Sequence, residues 1–92
     1  MTKTWKTKKL KDLAQALLSL KNEKDMLAFL RDVATLEELD ELSNRLKAAQ
    51  MIHDGSPYRD VSKNTGMSTT TVTRIAHWLR NGEGGYENIL KK

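Results

Sequence analysis

Hydroxyl groups and cations crowd one short stretch, "GMSTTTVTRIAHWLRNG" (residues 66–82). Ser68, Thr69, Thr70 and Thr71 stand in a row, and Thr73, Arg74, His77 and Arg80 come after them at spacings that place most of them on one side of a helix. Short hydroxyls that both donate and accept, beside guanidinium groups and with no carboxylate among them, suit contact with a polyanion better than bond-breaking. Other pairings that could do chemistry fare worse. His53 and Asp54 are adjacent in sequence, and neighbours in a helix do not face each other. "GEGG" (residues 82–85) is short and comes after a helix instead of preceding one, so it does not suit a phosphate-cradling loop. With two histidines far apart, no cysteine and no metal-spaced cluster, the expectation is a non-enzyme without cofactor or metal.

Three consecutive threonines are poor helix formers, because β-branching costs rotamer freedom and the hydroxyls compete for backbone bonds. Yet Val72, Ile75, Ala76 and Leu79 repeat at i, i+3, i+4 and i+7, the mark of one helix face. Ser68 is placed to cap the first turn, and Gly82 to give a left-handed exit. The threonines therefore fill the first turn of a capped helix. Upstream, Ser56-Pro57 predicts an N-cap and then proline at the first helical position, opening a helix from Pro57 to Thr65 that ends at Gly66. Arg59 and Lys63 add cations to it. Val61, Ser62, Val72 and Ile75 fall where two such helices must touch, so residues 56–82 read as a helix-turn-helix. In a DNA major groove the first turns of the second helix come closest to base edges, where a hydroxyl fits and a threonine methyl packs on thymine. Helix amides near Ser68 and Thr69 can meet a phosphate. The expected DNA-binding set is Arg59, Lys63, Ser68, Thr69, Thr70, Thr71, Thr73, Arg74 and His77.

The rest of the chain supplies the frame. Leu10, Leu13, Ala14, Leu17 and Leu18 form one helical stripe, and Met26, Phe29, Leu30 and Val33 form a second behind a cap at Asn22. Thr35 to Glu38 is a capping box for a third helix through Leu39, Leu42, Leu46, Ala49 and Ile52 to Gly55. "NGEGG" then acts as a hinge before a short helical "YENILKK" tail. The expected fold is all-α with about six helices. It forms one domain over 1–92: a basic arm (1–9), dimerisation helices (10–55), the helix-turn-helix (56–82), and a hinge with a short helix (83–92). The Leu, Met and Phe stripes are expected to be core, and Trp5 and Trp78 to be packing or interface anchors. Three striped helices in 92 residues offer more apolar face than one monomer covers, which favours a homodimer.

Charge is segregated along the chain. Residues 1–12 carry five lysines and one aspartate, residues 35–55 five acids and two bases, and residues 56–82 four bases and one acid. An acidic helix between basic regions fits one face held towards phosphate and another turned away. No apolar run approaches the roughly 18 residues of a membrane span. The basic start mimics a signal peptide, but Lys11 and Asp12 break into the apolar run beyond it and no cleavage site appears, so a cytoplasmic protein is expected.

At "FLRDVATLEELDELSNRL", "IHDGSPYRDVSKNTG" and "TTTVTRIAHWLRNG" the sequence resembles the Trp repressor superfamily, most closely its YerC/YecD-type bacterial relatives. The resemblance implies an all-α homodimer with interlocked N-terminal helices that binds double-stranded DNA and regulates transcription. It also places Arg45 and Arg74 where the superfamily holds its corepressor, with Thr35 and Thr71 near that pocket and Thr73 on the DNA side. Two departures speak against tryptophan as effector. Ile75 stands where the tryptophan repressor has the glycine that leaves room for indole, and Trp78 where it has a small serine. Thr35, Arg45, Arg74, Ile75 and Trp78 are therefore expected to be a pocket remnant. Two blander readings stay open: Arg45 pairs with Glu41 one turn earlier, and the whole chain serves as a helical protein–protein interaction module.

Overall fold

The computed structural model describes residues 4–91; residues 1–3 of the basic arm and Lys92 of the tail lie outside them. Among the described residues there are six helices and no strand: α1 Lys8–Ser19, α2 Glu23–Val33, α3 Leu36–His53, α4 Tyr58–Thr65, α5 Thr69–Asn81 and α6 Gly85–Leu90. The chain forms two compact units that divide between Leu36 and Glu37.

The first unit holds α1 and α2, both started by side chains. The Thr7 hydroxyl accepts from the Leu10 amide at 3.2 Å, and the Asn22 side chain accepts from the Asp25 amide at 2.8 Å. Glu23 and Asp25 sit in the first turn of α2, where the helix dipole favours negative charge. Neither helix contains a buried residue. The leucine stripes expected as core are thus not core of the single chain: Leu10, Leu13 and Val33 are exposed and Leu18 is 75% exposed. Two short amphipathic helices cannot enclose their own apolar faces, so these stripes need a further surface to cover them.

The second unit contains the core, formed by Ala48, Ala49 and Ile52 of α3, Val61 of α4, and Val72, Ile75, Ala76 and Leu79 of α5. Met51, Tyr58, Met67, Tyr86 and Leu90 pack around it. Val61, Val72 and Ile75 are its largest fully buried side chains, each contributing about 1.5–3 kcal/mol by burial. α3 begins one residue after Thr35, with Glu37 and Glu38 in its first turn, and neither Thr35 nor Glu38 lacks an interaction partner.

Two helix ends differ from expectation. α4 starts at Tyr58, with Pro57 as its N-cap at ψ 145°. The Ser56 amide instead donates back to the Met51 carbonyl at 2.9 Å, so Ser56 belongs to the turn that leaves α3. At the end of α5, Gly82 has φ −86° and is not left-handed. Its amide donates to the Trp78 carbonyl at 2.9 Å, and an added Cβ would lie 2.4 Å from that oxygen. Close backbone approach, not a positive φ, calls for glycine here.

Candidate nucleic-acid interface

α4 and α5 pack together across the three-residue turn Gly66-Met67-Ser68. Gly66 closes α4 at φ 75°, a left-handed conformation that L side chains enter at a cost, and its amide donates to the Ser62 carbonyl at 2.9 Å. Side chains then lock the turn. The Ser62 hydroxyl donates to the Met67 carbonyl. The buried Thr65 hydroxyl donates to the Val61 carbonyl at 2.7 Å and accepts from the Met67 amide at 3.3 Å. A small residue at Ser62, which the spacing assigned only to a packing contact, thus also clamps the turn.

The threonine run is held in helix by its cap and by the core beneath it. The Ser68 hydroxyl accepts from the Thr71 amide at 3.1 Å and lies 3.0 Å from the Thr71 hydroxyl. A Ser cap of this kind contributes about 0.5–2 kcal/mol, enough to offset the weak propensity of the run. Val72, Ile75, Ala76 and Leu79 bury the opposite face, and Ile75 is 0% exposed.

The outer face of α5 presents Thr70, Thr73, Arg74, His77 and Asn81, all exposed. The Thr73 hydroxyl donates to the Thr69 carbonyl at 2.9 Å, which fixes its rotamer and leaves its oxygen able to accept. His77 Nδ1 lies 3.3 Å from the Asn81 side-chain nitrogen. Among the described residues no hydrogen bond engages Thr70 or the Arg74 guanidinium, so both keep their full capacity for an outside partner. Arg59 and Lys63 stand one turn apart on α4, also exposed. Of the nine expected contact residues, Ser68 and Thr71 are the ones whose hydroxyls work inside the cap, and Thr71 is half-buried.

The residues assigned to a pocket remnant have separate environments. Arg45 makes the local pair, its guanidinium 2.6 Å from a Glu41 carboxylate oxygen, an exposed contact worth about 0.3–0.5 kcal/mol. Ile75 fills the core, whereas Trp78 is 47% exposed. Trp5, in the arm, is also exposed, and the Lys6 ammonium stands 5.5 Å from its ring centroid.

One contact escapes sequence reasoning. Arg80 donates to the Tyr58 hydroxyl at 3.4 Å, tying the last turn of α5 to the first residue of α4. The partners lie 22 residues apart and no local pattern signals their meeting.

The fold and sequence have known counterparts. The uncharacterised protein YerC of Bacillus subtilis (strain 168) is 34% identical over 85 residues, covering 92% of this chain and 82% of the relative. A TrpR-like protein from Eubacterium eligens ATCC 27750 superposes with a TM-score of 0.88 at 36% identity, over 94% of this chain and 89% of the other. A candidate Trp repressor from Staphylococcus aureus gives a TM-score of 0.85 at 34% identity, over 94% and 86% of the two chains. The family model for the Trp repressor protein matches residues 8–92, and with relatives this similar along nearly all their length, the chain belongs to the Trp repressor family.

Proposed function

We propose that this protein is a sequence-specific regulator of transcription that binds double-stranded DNA as a homodimer through α4 and α5. The observation that carries this reading is the division of α5 into two faces. One is buried through Val72, Ile75, Ala76 and Leu79, and the other offers Thr70, Thr73, Arg74 and His77 to solvent. A rigidly seated helix with short hydroxyls and a free guanidinium on its outer face fits a major groove. Arg74 would read a guanine edge or a phosphate, and the threonines would read base edges and a thymine methyl. Arg59 and Lys63 would bind phosphate from α4, and the basic arm would add further phosphate contacts.

The exposed apolar residues of α1 and α2, together with Leu42 of α3, support a dimer whose partner covers them. Two copies of α5 would then face half-sites about one helical turn apart, giving a roughly palindromic operator. Free tryptophan is not the effector in this reading. Ile75 occupies its site completely, and room for an indole there would have to come from a packed core. Arg45 and Arg74 remain from the pocket, with Arg45 already paired to Glu41.

Selection of bound duplexes from a random pool tests the reading. It predicts a recurring palindromic sequence, and a series at rising salt predicts affinity that falls linearly on a log–log plot as counterions are released. No enriched sequence and no salt dependence would point instead to a helical protein–protein module.

A further inference from the structure

A cavity of about 370 Å³ opens in the second unit, and its lining includes none of the pocket-remnant residues. Ile52 and His53 come from the end of α3, Leu79 and Arg80 from the last turn of α5, Glu87 from α6, and Lys91 from just beyond it. The floor is apolar: Ile52 and Leu79 are 9% and 8% exposed. The rim is charged, with Arg80 and Lys91 against the single carboxylate of Glu87, a net of one positive charge among these three side chains. Among the described residues no ion pair engages Arg80, Glu87 or Lys91.

The geometry points to a binding site for a small amphiphilic monocarboxylate, its hydrocarbon end over Ile52 and Leu79 and its carboxylate drawn to Arg80 and Lys91. The volume lies at the lower end for small-molecule sites. A single negative charge matches the rim, whereas a dianion such as a phosphate ester would meet Glu87 with no cation left to offset it. An apolar floor also gives the tail a burial gain that a bare anion lacks.

Arg80 links this cavity to the proposed DNA interface; the site stands without the DNA-binding reading, and its effect on DNA rests on it. The Arg80 guanidinium donates to the Tyr58 hydroxyl, a tie between α4 and α5 beyond their core packing. A carboxylate is a stronger acceptor than a phenol, so an occupied cavity draws Arg80 away and loosens α4 against α5. The occupied form therefore binds DNA less tightly, and DNA by reciprocity weakens the ligand by the same factor.

The full-length protein, isotopically labelled, is titrated with hexanoate, with hexanol and with acetate while backbone amides are tracked by NMR. Hexanoate should give saturable shifts at Ile52, His53, Leu79, Arg80 and Lys91, with hexanol and acetate each at least about tenfold weaker. Lys91→Gln should weaken hexanoate at least about fivefold, and Arg45→Gln should leave it unchanged. Absence of saturation at millimolar hexanoate, equal affinity for hexanol, or shifts centred on Arg45 and Arg74 would overturn the site. Shifts that emerge only on dilution would assign the cavity to contact between copies and overturn it as well. On a selected duplex, saturating hexanoate should lower DNA affinity about fivefold. Hexanoate binding without that loss sinks the coupling, and hexanoate binding by a protein that selects no duplex sinks the DNA-binding reading alone.

Discussion

Ile75 is the position at which packing and effector choice meet. It is fully buried at the centre of a core of eight buried apolar residues. Removing one methylene with Ile75→Val should cost about 0.5–1.5 kcal/mol, and Ile75→Ala about 2–5 kcal/mol, because so small a core has little material with which to fill the hole. For a domain of this size each kcal/mol lowers Tm by roughly 4–8 °C. Urea unfolding monitored by far-ultraviolet circular dichroism, at one fixed protomer concentration, reads the change as a shift in midpoint at constant slope. In the proposed reading the same side chain would exclude an indole, since forcing extra volume into a filled core costs about 1–3 kcal/mol. Calorimetric titration of tryptophan into the wild-type protein should therefore show no saturable heat at micromolar concentration. An Ile75→Ala variant as stable as the wild type would refute the packing argument. Saturable tryptophan binding that tightens DNA binding would refute the effector argument.

The two faces of α5 and the turn that precedes it set further expected outcomes. Alanine at Thr70, Thr73 or Arg74 should cost about 1–3 kcal/mol of specific binding wherever the residue reads a base, and should relax the preference at that base pair in a repeated selection. The structure starts α1 at Lys8, so the arm is shorter than residues 1–9; replacing Lys6 of the arm together with Lys8 and Lys9 of the first turn of α1 should weaken binding evenly across sequences and make its salt dependence shallower, as measured by fluorescence anisotropy. Ser68→Ala should lower stability in urea by about 0.5–2 kcal/mol through loss of the cap on Thr71. Gly66→Ala, forced to φ 75°, should cost about 1–2 kcal/mol in the same assay.

Local rules made most of the helix starts legible. Ser68, Asn22 and the Thr35 to Glu38 box marked helix starts because capping is decided within four residues of sequence. Gly66 marked the turn because few other residues take its φ without strain. Where two local rules competed, sequence misled. Ser56-Pro57 fits a cap with proline at the first helical position, but Ser56 is held by Met51 and proline itself becomes the cap. Gly82 ends a helix as left-handed glycines do, yet serves a close approach to Trp78. The stripes of α1 and α2 gave the helices correctly but not what covers them, since periodicity reports an apolar face and not its partner. The Arg80–Tyr58 tie joins α4 to α5 and the cavity over Ile52 and Leu79 forms where α3, α5 and α6 meet, and no short-range pattern encodes either.

The central claim is that the exposed face of α5 reads DNA sequence. Its most direct test is the affinity of the full-length protein for the selected duplex and for a scrambled duplex of equal length, each across a range of salt. The account predicts steep loss of affinity with salt for both duplexes, together with a preference of about a thousandfold or more for the selected one that falls about five- to 150-fold in Arg74→Ala and collapses towards the scrambled value when Thr70, Thr73 and Arg74 are all alanine. Equal affinity for the two duplexes, or a preference that survives when Thr70, Thr73 and Arg74 are all alanine, would contradict it.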